Sequence, residues 1–460
     1  MASPRFRHYL ATAGDIGGVD GIAGAVLLLS GGLLLASPDG VATVAFVAIA
    51  LLAAVASPVV ATAAVILALP FTYRPVQIAG GAFSPLELSI AMLAVSRGVQ
   101  VCRGGWPRGW PGRSGLKNGV GLPALAFLAA ATLSLATVAD PGHRHESLRE
   151  YRLVIVEPIL VYLLVRPALR SDRGQRILAG TLIASGTVVA LCAAGQFALG
   201  LGIAADGVHR ATVTYPHPNN LSFYLERVGA FAAGTALILP RSRWRTVMLG
   251  TALILSLGVG TTFSRGAMIG LIVGVGAVAL LTGRRRRAWI PMVGAVAIAP
   301  LLFGALASGR LVDLGGTGRW PTRFLIWRAS WAMALDHPIW GVGLDQFLYQ
   351  YWRRYVEPGG WPERYSSHPH NLVLDLWLRV GILGAVAFGW LFFGVARRVR
   401  RHLAHGDLPA TPFVAGATAA VVAGLTHGLV DNGFFLPDVA VMTWLFIAMI
   451  EAASHDLSNA

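Results

Sequence analysis

The sequence predicts an all-α fold: a polytopic transmembrane helical bundle with one large hydrophilic loop on one face. Three observations predict it. Of the 460 residues, 55% are hydrophobic and only 13% are charged, whereas a soluble domain carries about 25% charged residues. One core cannot absorb that much apolar surface, because single cores stop growing near about 250–300 residues. Apolar runs also recur at the roughly 17–25 residues that cross a bilayer.

Read against their polar breaks, the runs are 20–36, 41–56, 58–74, 85–101, 121–139, 150–167, 176–201, 221–239, 246–262, 266–282, 288–307, 371–394, 410–430 and 437–454. Two connections, after 56 and after 262, are very tight, so the expected number of spans is about twelve to fourteen. Gly and Pro interrupt several runs, which a membrane tolerates better than water does. Arg5 and Arg7 precede the first run and no small-residue cleavage site stands out, so that run is read as a retained span. The expected organisation is an N-terminal bundle over 1–307, a loop over 308–370, and C-terminal spans over 371–460. No internal repeat relates two halves.

The net charge is +15, and Lys117 is the only lysine. A basic excess can indicate nucleic acid, but here the arginines cluster in short segments between apolar runs, at 97–117, 166–176, 241–245, 284–287 and 397–401. With fourteen spans and the N-terminus inside, all these clusters fall on the cytoplasmic side, where short Arg-rich loops stay. Both termini are then cytoplasmic. The outer face receives 75–84, 140–149, 202–220, 263–265, 308–370 and 431–436, and with them His143, His145, His209, His217, His337, His368 and His370. Cys102 and Cys192 give neither a disulfide framework nor a metal spacing.

The outer loop 308–370 carries Arg310, Arg319, Arg323, Arg328, Arg353, Arg354 and Arg364. Long loops translocate whatever their charge, so this does not disturb the topology. Segment 322–335 has apolar residues at helical spacing. Asp336-His337-Pro338 ends it, since proline disfavours helix at the residue before it. The Trp- and Tyr-rich stretch 340–355 suits headgroup depth. Two roles stay open for these arginines. They can meet lipid phosphates, or a subset can clamp a pyrophosphate, because guanidinium forks bind phosphate oxygens bidentately and keep their charge when desolvated.

Four stretches on this face form a recognisable set: His217-Pro218-Asn219-Asn220-Leu221; Phe263-Ser264-Arg265-Gly266; Arg323-Phe324-Leu325-Ile326-Trp327 with His337-Pro338-Ile339-Trp340-Gly341-Val342-Gly343; and His370-Asn371, then nine residues, then Gly381-Ile382-Leu383-Gly384. Together they resemble the O-antigen ligase/polymerase family of bacterial envelope enzymes, over roughly residues 210–390. The last stretch fits the ligase pattern H-[NSQ]-x9-G-x-x-G, with His370, Asn371, Gly381 and Gly384 at its fixed positions.

The resemblance implies glycan transfer at the outer face of the bacterial cytoplasmic membrane. The implied donor is a glycan on undecaprenyl pyrophosphate. An acceptor hydroxyl, on lipid A-core or another glycan or lipid, attacks the anomeric carbon and the lipid pyrophosphate leaves. The reaction is expected to invert, without metal or other cofactor. Polymerases and protein O-oligosaccharyltransferases share the same features, and the complete motif at His370 favours a ligase.

The residues offer what that chemistry needs. Histidine titrates in the right range to take a hydroxyl proton, which suits His370 at the junction of loop and span. Arg265 on its tight turn and Arg323 on the loop helix are the expected cations for the leaving pyrophosphate. Arg319, Arg328, His217, Asn219 and Asn371 are expected to bind substrate. Ordinary roles compete: helix capping for His370, His217 and Asn219, and snorkelling to headgroups for Arg265. His143-Arg144-His145-Glu146 reads as a structural loop, because no acidic pair accompanies it. Glu157, Glu226 and Arg227 lie in or beside spans, where charges are usually paired. The rival class is a transporter or flippase for polyprenyl-linked glycans. Such proteins tend to carry repeats and midplane sites, whereas these candidates gather at one face.

Overall fold

The computed structural model describes residues 18–36, 41–78, 80–104, 120–205, 208–282, 294, 320–404 and 411–453. These residues are overwhelmingly helical. In chain order the helices are α1 (Gly18–Ala36), α2 (Val41–Ala56), α3 (Pro58–Ala68), α4 (Pro85–Gly104), α5 (Gly121–Ser134), α6 (Arg144–Glu150), α7 (Glu157–Leu169), α8 (Asp172–Ala198), α9 (Pro218–Ile238), α10 (Arg243–Thr261), α11 (Arg265–Leu281), α12 (Trp320–Asp336), α13 (Phe347–Gln350), α14 (Leu372–Ala404), α15 (Thr411–Gly428) and α16 (Pro437–Ala453). The strands among the described residues form two small antiparallel hairpins, Val76–Ile78 with Gly81–Phe83 and Ile203–Ala205 with Val208–Arg210.

The all-α expectation holds, and each candidate span outside 288–307 meets a helix. That span and Arg319 lie in a stretch of which only residue 294 is described. The apolar run at 150–167 starts with a π-helical turn, Tyr151–Val156, between α6 and α7. Helices Asp172–Ala198, Arg243–Thr261 and the Leu372–Leu403 part of α14 are long and apolar enough to cross a membrane.

α9 lies at the centre and is buried almost throughout; α16 is buried at every residue after Pro437. α15 packs against both α9 and α11. Small residues allow it: a side chain at Gly270 of α11 would stand 2.8 Å from the Ala423 carbonyl oxygen, and one at Gly274 would come closer still to that of Ala419. In hydrocarbon, helix association depends on such close packing rather than on exclusion of water.

The bundle has two chemically different ends. At one, Glu451 of α16 gathers Arg166 of α7 at 3.4 Å and Arg398 of α14 at 3.3 Å, within the arginine clusters 166–176 and 397–401. At the other end α9, α11 and α14 begin and α15 finishes.

α14 is broken at Gly381, where φ is +70° and ψ 177°. That region is essentially reserved for glycine. The loop after α12 fills the break. Val342 N–H donates to the Leu378 carbonyl at 2.7 Å, Ile382 N–H donates to the Pro338 carbonyl at 3.1 Å, and Trp377 Nε1–H reaches the same Pro338 oxygen at 2.8 Å. The sequence stretch His337 to Gly343 and the paired glycine at 381 thus form one joint, which docks the loop after α12 onto the start of α14.

Candidate active site

The site is organised around Asp431, the third residue after the end of α15, following Leu429 and Val430. Its N–H donates to the His427 carbonyl at 2.9 Å, which ends the helix. Its carboxylate is buried and fully engaged. Oδ1 lies 2.7 Å from His370 Nδ1 and 3.7 Å from His368 Nε2. Oδ2 accepts from Asn219 Nδ2 at 2.6 Å and lies 3.8 Å from Arg323 Nη2. Arg323 Nη1 donates to the adjacent Val430 carbonyl.

His370 is held from both sides of its backbone. It adopts φ +54°, a left-handed conformation uncommon outside glycine. Asn371 follows as the cap of α14. Its Oδ1 accepts from Val373 N–H at 3.0 Å and Leu374 N–H at 3.1 Å, and its Nδ2 donates to the Leu429 carbonyl at 2.9 Å. The motif pair therefore divides its work: Asn371 caps the helix and ties it to the turn carrying Asp431, and His370 points its ring at that carboxylate.

The electrostatics fix the state of the pair. Burial lowers the His370 pKa below 6.5, helped by the charges of His368 and Arg323 and opposed by the hydrogen bond to Asp431. Burial pushes the Asp431 carboxyl up, but the facing His368 and His370 rings more than offset it and hold it well below the usual carboxylate range. At neutral pH the pair is a neutral imidazole beside a carboxylate. A carboxylate only accepts, so the imidazole proton sits on Nδ1 and the lone pair on Nε2. The Ser366 hydroxyl lies 3.3 Å from Nε2 and 2.9 Å from the His368 carbonyl, with one proton to give to either.

The other residues singled out by sequence are distributed around this pair. His217 caps α9 through its Nδ1, which accepts from Asn219 N–H at 3.2 Å. That leaves the Asn219 side chain to bridge Arg210 Nη2, at 2.9 Å, and Asp431; Arg210 is in turn anchored on the Thr262 carbonyl at 2.8 Å. Arg265 is the exposed first residue of α11. Its neighbour Gly266 packs on His427 and Val430 so closely that a Cβ there would collide with the histidine ring. The start of α11 thus presses on the turn that carries Asp431. Arg328 is not brought to this cluster. It is exposed and pairs with Glu357 at 3.1 Å. Arg319 lies outside the described residues.

Below this layer, Glu226 Oε2 meets His427 Nδ1 at 2.7 Å, His427 Nε2 lies 3.5 Å from Ser264 Oγ, and Glu226 also pairs with Arg227 at 3.1 Å. These buried charges are paired, as membrane depth requires. His143, the residue before α6, stacks on Tyr349 of α13 with ring centroids 3.6 Å apart, a structural contact.

Sequence reasoning passed over Asp431 and Arg210. A signal for Asp431 existed: a lone carboxylate in the turn 431–436, directly after an apolar run, is costly to bury without a partner.

Residues 250–389 match the family model described as O-antigen ligase. Over this segment the chain is similar to the O-antigen ligase family. The matched segment holds Arg265, Arg323, His370, Asn371 and the joint at Gly381; Asp431 lies beyond it. No curated protein matches the chain. The apolar helices and this match together support a membrane protein of the O-antigen ligase/polymerase type, and with it the coarse reading of an enzyme of glycosyltransferase kind.

Proposed function

We propose that the protein transfers a glycan from a polyprenyl pyrophosphate carrier, of the undecaprenyl type, to an acceptor hydroxyl at the outer face of the bacterial cytoplasmic membrane, acting as an O-antigen ligase. The observation that carries this reading is the His370–Asp431 pair at 2.7 Å, with Nε2 of His370 as its basic atom and Arg323 beside it.

In the proposed reaction the acceptor O–H donates to His370 Nε2. The acceptor oxygen bonds to the anomeric carbon as the bond from that carbon to the phosphate oxygen breaks. The proton ends on His370, and the resulting imidazolium is stabilised by Asp431. The electron pair leaves with the lipid pyrophosphate, whose growing charge Arg323 and Arg265 meet. Such groups are most effective when their donors are fixed before the charge develops. Asn219 and the Val430 carbonyl hold Asp431 and Arg323 in place. Because the nucleophile attacks directly, the anomeric centre inverts. The arginines supply the positive charge, so the scheme calls for no metal or cofactor.

The deciding experiment supplies purified protein with a lipid-linked glycan, with and without a lipid A-core-type acceptor. A ligase joins glycan to acceptor. Extension of the lipid-linked glycan in the absence of acceptor would assign a polymerase instead, and glycan on a protein hydroxyl a protein O-oligosaccharyltransferase. Movement of the donor across a vesicle with no new glycosidic bond would assign a flippase and overturn the transferase reading.

A further inference from the structure

We propose that His368, His370 and Asp431 form an inhibitory site for an imidazole-seeking divalent ion of the Zn²⁺ class, which regulates the transferase by occupying its base. The inference rests on the functional reading above for its inhibitory consequence, but the site itself stands on geometry alone.

One nitrogen from each histidine and one carboxylate oxygen lie within 4.8 Å of one another. His368 Nε2 faces Asp431 Oδ1 at 3.7 Å, is shielded from solvent, and has no hydrogen-bond partner among the described residues. His370 Nδ1 meets the same oxygen at 2.7 Å. A tetrahedral ion with bonds of about 2.1 Å holds its donors about 3.4 Å apart. The set is therefore within roughly 1.4 Å of closing around an ion. His368 can supply the movement, because its side chain is 25% exposed and its Nδ1 meets, among the described residues, the hydroxyl of its neighbour Ser367 at 3.0 Å.

The surroundings select the kind of ion. Asn219 and Arg323 occupy the Oδ2 side of the carboxylate, so Oδ1 is the face left for a metal. The nearby guanidinium repels any cation. Mg²⁺ and Ca²⁺ bind through charge and oxygen ligands and gain little here, whereas Zn²⁺, Ni²⁺ and Cu²⁺ gain from two imidazoles. Two histidines and one carboxylate leave a coordination position open for water.

Metal bound at His370 Nδ1 takes the lone pair there. The proton that Nδ1 shared with Asp431 moves to Nε2, and the neutral ring then presents an N–H where the acceptor hydroxyl needs a base. No proton leaves the ring and no bond to carbon changes. Inhibition follows from the change of tautomer.

The test uses full-length protein in detergent, stripped with EDTA, exchanged into chelator-free buffer and freed of any polyhistidine tag. Co²⁺ is titrated and its visible absorption followed, and Zn²⁺ and Mg²⁺ are titrated into the transfer assay in parallel. One Co²⁺ per chain with the spectrum of a low-coordinate nitrogen/oxygen site is expected, displaced by Zn²⁺. His368→Ala should weaken it by about tenfold or more. Zn²⁺ should inhibit transfer and Mg²⁺ should not, and His368→Ala should shift the Zn²⁺ inhibition by the same factor as the Co²⁺ affinity. Absence of Co²⁺ binding, equal affinity in His368→Ala, or Zn²⁺ binding without inhibition would each overturn the proposal. The cobalt spectrum reads the site even if the protein proves not to be a transferase, so the two readings fail separately.

Discussion

His370 Nδ1 and Asp431 Oδ1 lie 2.7 Å apart across 61 residues of sequence. One comes from the end of the loop that leads into α14, the other from the turn after α15. The pairing makes His370 Nε2 a base without making it a cation, and each prediction below depends on that division or on the scaffold that holds it.

The pH dependence of transfer should show an ascending limb with its midpoint below 6.5, because the base must be neutral and burial lowers the His370 pKa. Activity is then full at neutral pH and is lost as pH falls through the lowered value. Asp431 favours the protonated ring, so Asp431→Asn should move the limb to still lower pH. Its amide can also donate to Nδ1 and force the proton onto Nε2, so the plateau should drop by about 10²-fold or more. A limb that stays in place in Asp431→Asn would remove His370 as the titrating group.

For the cations, Arg323→Ala and Arg265→Ala should each reduce transfer about 10²–10³-fold with membrane insertion intact. Lysine should rescue only in part, because a point charge does not replace a bidentate fork. Near-normal rates in both alanine variants would reassign these residues to lipid contacts. Activity should persist in excess EDTA; loss with restoration by a divalent ion would revive a metal-dependent mechanism.

Much of the fold was legible, because a bilayer dictates helix length and the apolar runs expose it. The His370-Asn371 pair was legible as a motif, though its division of labour was not: capping by Asn371 depends on backbone N–H groups that only the folded α14 presents. Capping was an open alternative for both His217 and Asn219; the structure gives it to His217 and frees Asn219 for Asp431. Asp431 was not legible because its importance comes from contacts with α9, α12 and the outer loop, all distant in sequence. Arg328 was as basic as Arg323 but lies five positions on, and α12 turns it to Glu357 instead.

The joint at Gly381 predicts a stability effect. Gly381→Ala places a side chain against the Ile339 carbonyl in a backbone region that other residues avoid. The backbone strain alone costs about 1–3 kcal/mol, so the midpoint of thermal unfolding in detergent should fall and transfer should fall with it. Gly384→Ala meets mainly the Val380 side chain of its own helix and should be milder. Equal stability of Gly381→Ala and wild type would contradict the docking of the outer loop on α14.

Orientation is tested by labelling single cysteines from either side of intact cells, in a background lacking Cys102 and Cys192. Positions 117, 285 and 400 should react only from the cytoplasm, and 145 and 358 from outside. An outside signal at 285 would break the alternation of arginine clusters on which the proposed outer-face site depends.

The most direct test is the single-turnover rate of glycan transfer by His370→Ala, with donor binding measured on the same preparation and His368→Ala as the neighbouring control. A positioned base contributes about 10²–10⁴-fold, so His370→Ala should lose that much rate while still binding the lipid-linked donor, and His368→Ala should lose far less. Transfer near the wild-type rate in His370→Ala, whatever His368→Ala does, would contradict the account.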